Sequence, residues 1–239
     1  MPTTGGSFAL LNTTAKRNAT LIDRLEDKGL IIIGKTNLSK LGACKGSGGI
    51  PGLSAVGGQT QPDYVKGGLV DSEEPLDQSV SVLIHSFIHS DWSLTREKNP
   101  GGSSSGSDVA AAAGFAPNFI GGEADGSLNT PASRSALYVL KITPCVVPRD
   151  DILTVSRTFE TVGGMAKSVV LDLAHVTEAI LSTEEQPRDF TNVLVDGWVD
   201  ISFGFVDHAI WQLPKVLLTP NEEYNVQTIS LSTAKTCAL

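Results

Sequence analysis

Apolar and polar positions along this chain fall into short, separated signals. Asn18-Ala-Thr-Leu-Ile-Asp-Arg-Leu-Glu-Asp-Lys-Gly29 carries Leu21, Ile22 and Leu25 at helical spacing. Asn18 suits an N-cap and Gly29 a left-handed stop, so the pattern predicts a short helix. Leu30-Ile-Ile-Ile33 follows at once and has the β-branched character of a buried strand. Residues 42–68 are dense in glycine and read as a long, turn-rich loop. The stretch 69–98 shows neither helical nor strand period. From Pro100 the signals sharpen: Pro100-Gly-Gly-Ser-Ser-Ser-Gly-Ser107 is a loop feeding an Ala-rich helix over 108–116. Asn118-Phe-Ile-Gly-Gly-Glu-Ala-Asp-Gly-Ser127 is a short strand running into a second Gly/Ser turn. Over 165–181, Met165, Val169, Leu173, Val176 and Ile180 share one side, the best amphipathic helix in the chain. A polar linker occupies 182–189, and Ile201-Ser-Phe-Gly-Phe-Val206 reads as a last strand. Helix, glycine and strand in succession imply an α/β layered architecture.

Composition narrows the function classes. The 239 residues are 41% hydrophobic and 6% aromatic with a mean hydropathy of +0.05, enough for a sizeable core and unlike a disordered tail or a membrane bundle. No apolar run has the length of a spanning helix. Lys plus Arg number 18 against 26 Asp plus Glu, a net charge of -8. So acidic a chain has no footprint for nucleic acid or an anionic membrane, and neither is expected as a partner. Cys44, Cys145 and Cys237 are odd in number and far apart, with no CxxC. That argues against a disulfide framework or a zinc ribbon and makes a reducing compartment the default. No basic and apolar leader follows Met1, so a cytoplasmic location is expected. The N-x-[ST] triplets at Asn12, Asn18 and Asn37 are then chance matches or capping residues.

Two turns carry the candidate chemistry. Gly101-Gly-Ser-Ser-Ser-Gly106 presents hydroxyls and N–H groups at the start of a helix, a geometry suited to an anion or oxyanion; its bland alternative is a flexible linker. Asp125-Gly126-Ser127 at a strand exit can project the serine oxygen, with preceding amides forming an oxyanion hole; its bland alternative is a hairpin turn. The pairing of the turns, with Ser103 and Ser127 24 positions apart, favours the functional reading. Elsewhere the signals are thin. His85 and His89 have the spacing of a helical metal pair but no third ligand, so no metal is expected. His175 reads as a core-edge residue and Glu184-Glu185 as solvated linker.

A wider set of blocks appears in one characteristic order: Pro2-Thr-Thr-Gly-Gly-Ser-Phe-Ala-Leu10, Gly34-Lys-Thr-Asn-Leu-Ser39, Gly57-Gly-Gln-Thr-Gln61, Pro100 to Ser107, Asp125-Gly-Ser127, Pro131-Ala-Ser-Arg134, Ser156-Arg-Thr-Phe-Glu-Thr-Val-Gly163 and Met165-Ala-Lys-Ser168. In these blocks the chain resembles the amidase signature hydrolases, most closely their fungal amidase and peptide-amidase-like members. The resemblance covers nearly all of 1–181 and continues weakly through Gly204-Phe-Val-Asp207 and Trp211. It implies an α/β/α sandwich with a mixed central sheet, incomplete here. The whole of 1–239 then reads as one partial domain, with 69–98 an insertion and 182–239 a weakly matching tail.

The same resemblance implies a Ser–cis-Ser–Lys triad acting on a small-molecule amide without metal or organic cofactor. Ser127 would be the nucleophile and Ser103 the bridging serine, after a cis peptide at Gly102. Ala124, Asp125 and Gly126 would form the oxyanion hole, with Ser104 a supporting hydroxyl. There are departures. The family's lysine lies just upstream of the block matching Met1-Pro-Thr-Thr4, and Lys35 belongs to a block read as structural. Gly122 stands for a usual threonine, and Ile142, Asp151 and Gly164 for usual Pro, Gly and Pro. No arginine occupies the three positions after Ser127, so no charged clamp for an acidic substrate is evident there. Two functions follow as expectations: an amidase-type serine hydrolase lacking its base in this chain, or an inactive truncated homologue serving at most in binding or assembly.

Overall fold

A computed structural model describes residues 1–43, 51–63, 100–183, 185–195 and 197. Cys44, Cys237, Glu184, Trp211, the 69–98 stretch with His85 and His89, and the strand expected over 201–206 lie outside the described residues.

Helix α1 (Thr20–Asp27) buries Leu21 and Leu25, one turn apart on its inner face. It stops where Gly29 takes a φ of 84° and the Leu30 N–H reaches back to the Leu25 carbonyl at 3.0 Å. Asn18 is not its cap. Ala19 holds that position, so Asn18 sits one residue too early and its side chain donates to Glu26 instead, at 3.1 Å. Leu30 and Ile32 turn inward onto the core, while Ile31 and Ile33 are 84% and 67% exposed. The buried strand expected there is therefore an extended segment with one apolar side out, and it pairs with no strand among the described residues.

Inside the glycine-rich loop, β1 (Leu53–Ser54) and β2 (Gly58–Gln59) form a small antiparallel hairpin. The central unit is a three-stranded antiparallel sheet in the order β3 (Asn118–Glu123), β5 (Thr161–Ala166), β4 (Tyr138–Lys141). Every residue of the middle strand is buried. Val162 and Ala166 face α1 and α4 (Val170–Leu181), against Leu173, Val176 and Ile180. Met165 faces the opposite way, onto Ala111 and Ala112 of α2 (Ser105–Ala112) and Leu128 and Ala132 near α3 (Asn129–Arg134). Helices on both faces of a sheet make this the α/β/α arrangement expected.

Met165 thus belongs to a strand. The bend at Lys167 and Ser168 separates it from α4, so the helix expected over 165–181 covers only the later part. His175 points to solvent rather than to the core edge. Helix α2 is built from small residues because it is enclosed: a Cβ on Gly106 would lie 2.3 Å from the Asn37 carbonyl oxygen. The segment ending at Ser39 therefore runs directly across the start of α2, and Gly106 N–H donates to that same carbonyl at 2.8 Å.

Candidate functional site

The Gly/Ser loop and the Asp-Gly-Ser turn meet at one end of the sheet. The Gly102–Ser103 peptide is cis. Ser103 is 8% exposed, and its carbonyl accepts the Ser39 N–H at 3.0 Å. The next amide, Ser104 N–H, donates to the Ser127 carbonyl at 3.0 Å. The two serine turns, 24 positions apart in sequence, are therefore joined backbone to backbone. Ser104 adds a second tie: its hydroxyl donates to the Gly122 carbonyl and accepts the Gly122 N–H, both at 3.2 Å. These contacts use only the backbone of Gly122, so the glycine standing for a usual threonine keeps them.

Residues 124–127 form the turn between β3 and α3. The carbonyls of Ala124, Gly126 and Ser127 are engaged, the last by the Ser104 N–H. Lys141 Nζ donates to the Ala124 oxygen at 3.0 Å, and Thr130 N–H to the Gly126 oxygen at 2.8 Å. The N–H groups of Asp125, Gly126 and Ser127 meet no acceptor among the described residues. Asp125 is exposed, and Ala124, Gly126 and Ser127 are half-buried. A bend with most of its carbonyls engaged and three successive amides unpaired is a place where a negative oxygen can be received.

Sequence reading passed over the group that closes this bend. Glu123, 4% exposed, accepts the Leu128 and Asn129 N–H groups at 2.8 and 2.7 Å on one carboxylate oxygen. The other oxygen takes the Asn129 side-chain amide at 3.0 Å and faces Lys141 Nζ at 3.3 Å. Burial pushes the Glu123 carboxyl up, but the Asn129 and Leu128 amides and the Lys141 charge outweigh it and hold the group below its ordinary range. The signal that could have found it is an acid just before Asp-Gly-Ser, followed by Pro131 in the first turn of a helix.

A second carboxyl, Asp108 on α2, is fully buried, and neither oxygen has a hydrogen-bond partner among the described residues. Burial lifts it to about 8. Ser135, close by but outside hydrogen-bonding geometry, and Arg134 offset only part, while the charge of Asp63 adds to the rise. Lys35 is exposed and donates to the Thr3 hydroxyl. No group of three His, Cys, Asp or Glu side chains is disposed to hold a metal among the described residues. No helix among them is long and apolar enough to cross a membrane.

Comparison with known proteins bears on what such a site belongs to. The family model described as Amidase matches residues 1–50 and 86–200, more than half of the chain. The chain belongs to the amidase family. Among amidase-family relatives, a fungal protein named as an amidase, from Arthroderma benhamiae, is 31% identical over 180 residues, 75% of this chain and 25% of the relative. A glutamyl-tRNA(Gln) amidotransferase component from Acidothermus cellulolyticus is 31% identical over 193 residues, 81% of this chain and 31% of the relative. The solved structure of native peptide amidase from Stenotrophomonas maltophilia is similar at 35% identity and a TM-score of 0.59, covering 82% of this chain and 34% of that one. An amidase family protein from Bacillus anthracis is similar at 27% identity and a TM-score of 0.60, covering 81% and 32%. The chain thus spans 25% to 34% of the length of these amidase-family proteins.

Proposed function

We propose that this chain carries the serine half of an amide-hydrolysing site acting on small linear amides, with Ser127 as nucleophile and Ser103 as the relay beside it. The observation that carries the reading is the Ser104 N–H bond to the Ser127 carbonyl, which keeps the cis-serine loop and the unpaired-amide turn in one site. In this reading Ser127 Oγ attacks the amide carbonyl carbon while its proton passes to Ser103. The amides around Ala124, Asp125 and Gly126 hold the tetrahedral oxyanion. Collapse expels ammonia or an amine carrying a proton, and water then releases the carboxylate from the acyl-enzyme. Ser104 supports the turn through the backbone of Gly122.

The proton acceptor for Ser103 is a lysine that the resemblance sets before the block at Met1-Pro-Thr-Thr4. Among the described residues, Lys35 is tied to Thr3 and Lys141 to Glu123 and Ala124, so this reading gives neither that role. General-base assistance is typically worth about 10²–10⁴-fold, and the members of such a unit act together. The reading further takes 1–239 as one partial domain in the cytoplasm, with 69–98 an insertion and 182–239 a weakly matching tail.

The test is the purified chain against a panel of small primary amides, beside a version extended upstream to include that lysine. The 239-residue chain is expected to turn over negligibly, and the extended form measurably, with the rate abolished by Ser127→Ala. Turnover by the shorter chain that disappears in Ser127→Ala would show that another of its groups takes the proton. Turnover that survives Ser127→Ala removes Ser127 from its role. An upstream reading frame without the lysine codon favours the inactive homologue.

A further inference from the structure

A peptide unit is planar, and in the trans form its C=O and the following N–H point to opposite sides. Whatever holds the carbonyl of one residue therefore aims the amide of the next. The Ala124 carbonyl is held by Lys141 Nζ at 3.0 Å, and the same ammonium lies 3.3 Å from Glu123. Glu123 in turn grips Leu128 and Asn129 at the far end of the turn, so one carboxylate ties together the two ends of a four-residue bend. Lys141 comes from β4, Glu123 from the end of β3, and both strands pair with β5. The bend is thus anchored to the sheet.

The geometry points to Lys141 and Glu123 as a positioning pair that fixes the Ala124–Asp125 peptide plane and so aims the Asp125 N–H into the oxyanion site. The inference rests on the reading of 124–127 given above and extends it to a residue 14 positions beyond the nucleophile. Lys141 acts here as a charged donor to two acceptors, not as a proton acceptor.

The test compares Lys141→Met, which keeps the aliphatic stem, with Lys141→Arg, which restores a charged donor. One arm measures, by NMR on the 239-residue chain, the Asp125 amide nitrogen resonance, which responds to the hydrogen bond on the preceding carbonyl, and amide exchange at Leu128 and Asn129. The other measures phenylboronic acid binding by boron NMR. There the serine oxygen bonds to boron, its proton goes to solvent, and the tetrahedral boronate anion mimics the oxyanion. Lys141→Met is expected to shift the Asp125 resonance, speed exchange at Leu128 and Asn129, and weaken the boronate by about tenfold, the scale of losing alignment of one oxyanion donor. Lys141→Arg should recover most of each, and exchange in α4 should not move. An unchanged Asp125 resonance and unchanged exchange in Lys141→Met overturn the positioning role. So does an unchanged boronate affinity where the wild-type adduct depends on Ser127. No wild-type adduct, or one that survives Ser127→Ala, counts against the nucleophile assignment instead, and the resonance and exchange arm still decides the pair.

Discussion

Asp108 and Glu123 are both buried carboxyls a few residues from a serine turn, yet their environments set opposite signs. Asp108 has burial without partners, so its folded value of about 8 lies above the ordinary 3.8. Between those values the unfolded chain gives up a proton that the folded chain keeps. Stability therefore falls as pH rises through that window, by about 1.4 kcal/mol per unit at most, and levels off above it. Replacing Asp108 with Asn removes the ionisable group, so Asp108→Asn is expected to raise the melting temperature at about pH 8, with little effect near pH 4. Thermal unfolding across pH decides this; an equal shift at both ends would mean that the carboxyl is not held neutral. Glu123 works the other way. Its folded value is depressed, so its contribution is present above the unfolded value and is lost as pH falls through the folded one. Glu123→Ala leaves two backbone amides and the Asn129 side-chain amide to find other acceptors and is expected to cost about 2–3 kcal/mol at neutral pH, measured by denaturant unfolding.

Among the elements, close packing of small residues is what the site depends on. Gly106→Ala would press a methyl group onto the Asn37 backbone and is expected to destabilise by about 1–3 kcal/mol in urea unfolding, since a carbonyl in a crossing segment yields less readily than a side-chain tip. The elements legible in the sequence were those with a local signature. Helix α1 had Leu21, Leu25 and a terminal glycine, and β3 ran between a proline and a Gly/Ser turn; α2 had its alanines, but it spans Ser105–Ala112 rather than 108–116, so its first turn comes from the serine loop. Strand β5, Thr-Val-Gly-Gly-Met-Ala, is buried on both faces, so it lacks the alternation that marks a half-exposed strand, and its glycines weaken the propensity signal. Met165 and Val169 then fell at helical spacing from Leu173 and drew the helix too far back. Helix α3 and strand β4 were missed for a related reason. One is six residues long and the other four, and each is stabilised mainly by contacts distant in sequence.

For the whole molecule, the serine positions could be read because the two turns carry their own chemistry in consecutive residues. Lys141 could not, because its partner carbonyl lies 17 residues earlier and only the fold of β3 and β4 around β5 brings them together. The opposite holds for Leu30-Ile-Ile-Ile33, whose local character is that of a strand but whose pairing is decided elsewhere. At this scale the structure also constrains chain length. The interval between Ser103 and Ser127 begins in a loop bonded to Ser39, continues through the enclosed α2 and the paired β3, and ends in a turn closed by Glu123. Within it, Ala113, Gly114, Phe115 and Pro117 are exposed, and Phe115 is 74% so. A register error anywhere else would carry one serine past the other. Insertions and deletions between the two serines should therefore be confined to that bend. A short flexible insert after Gly114 is expected to leave the melting temperature within a few degrees of wild type, whereas one added residue between Gly121 and Ser127 should unseat the turn.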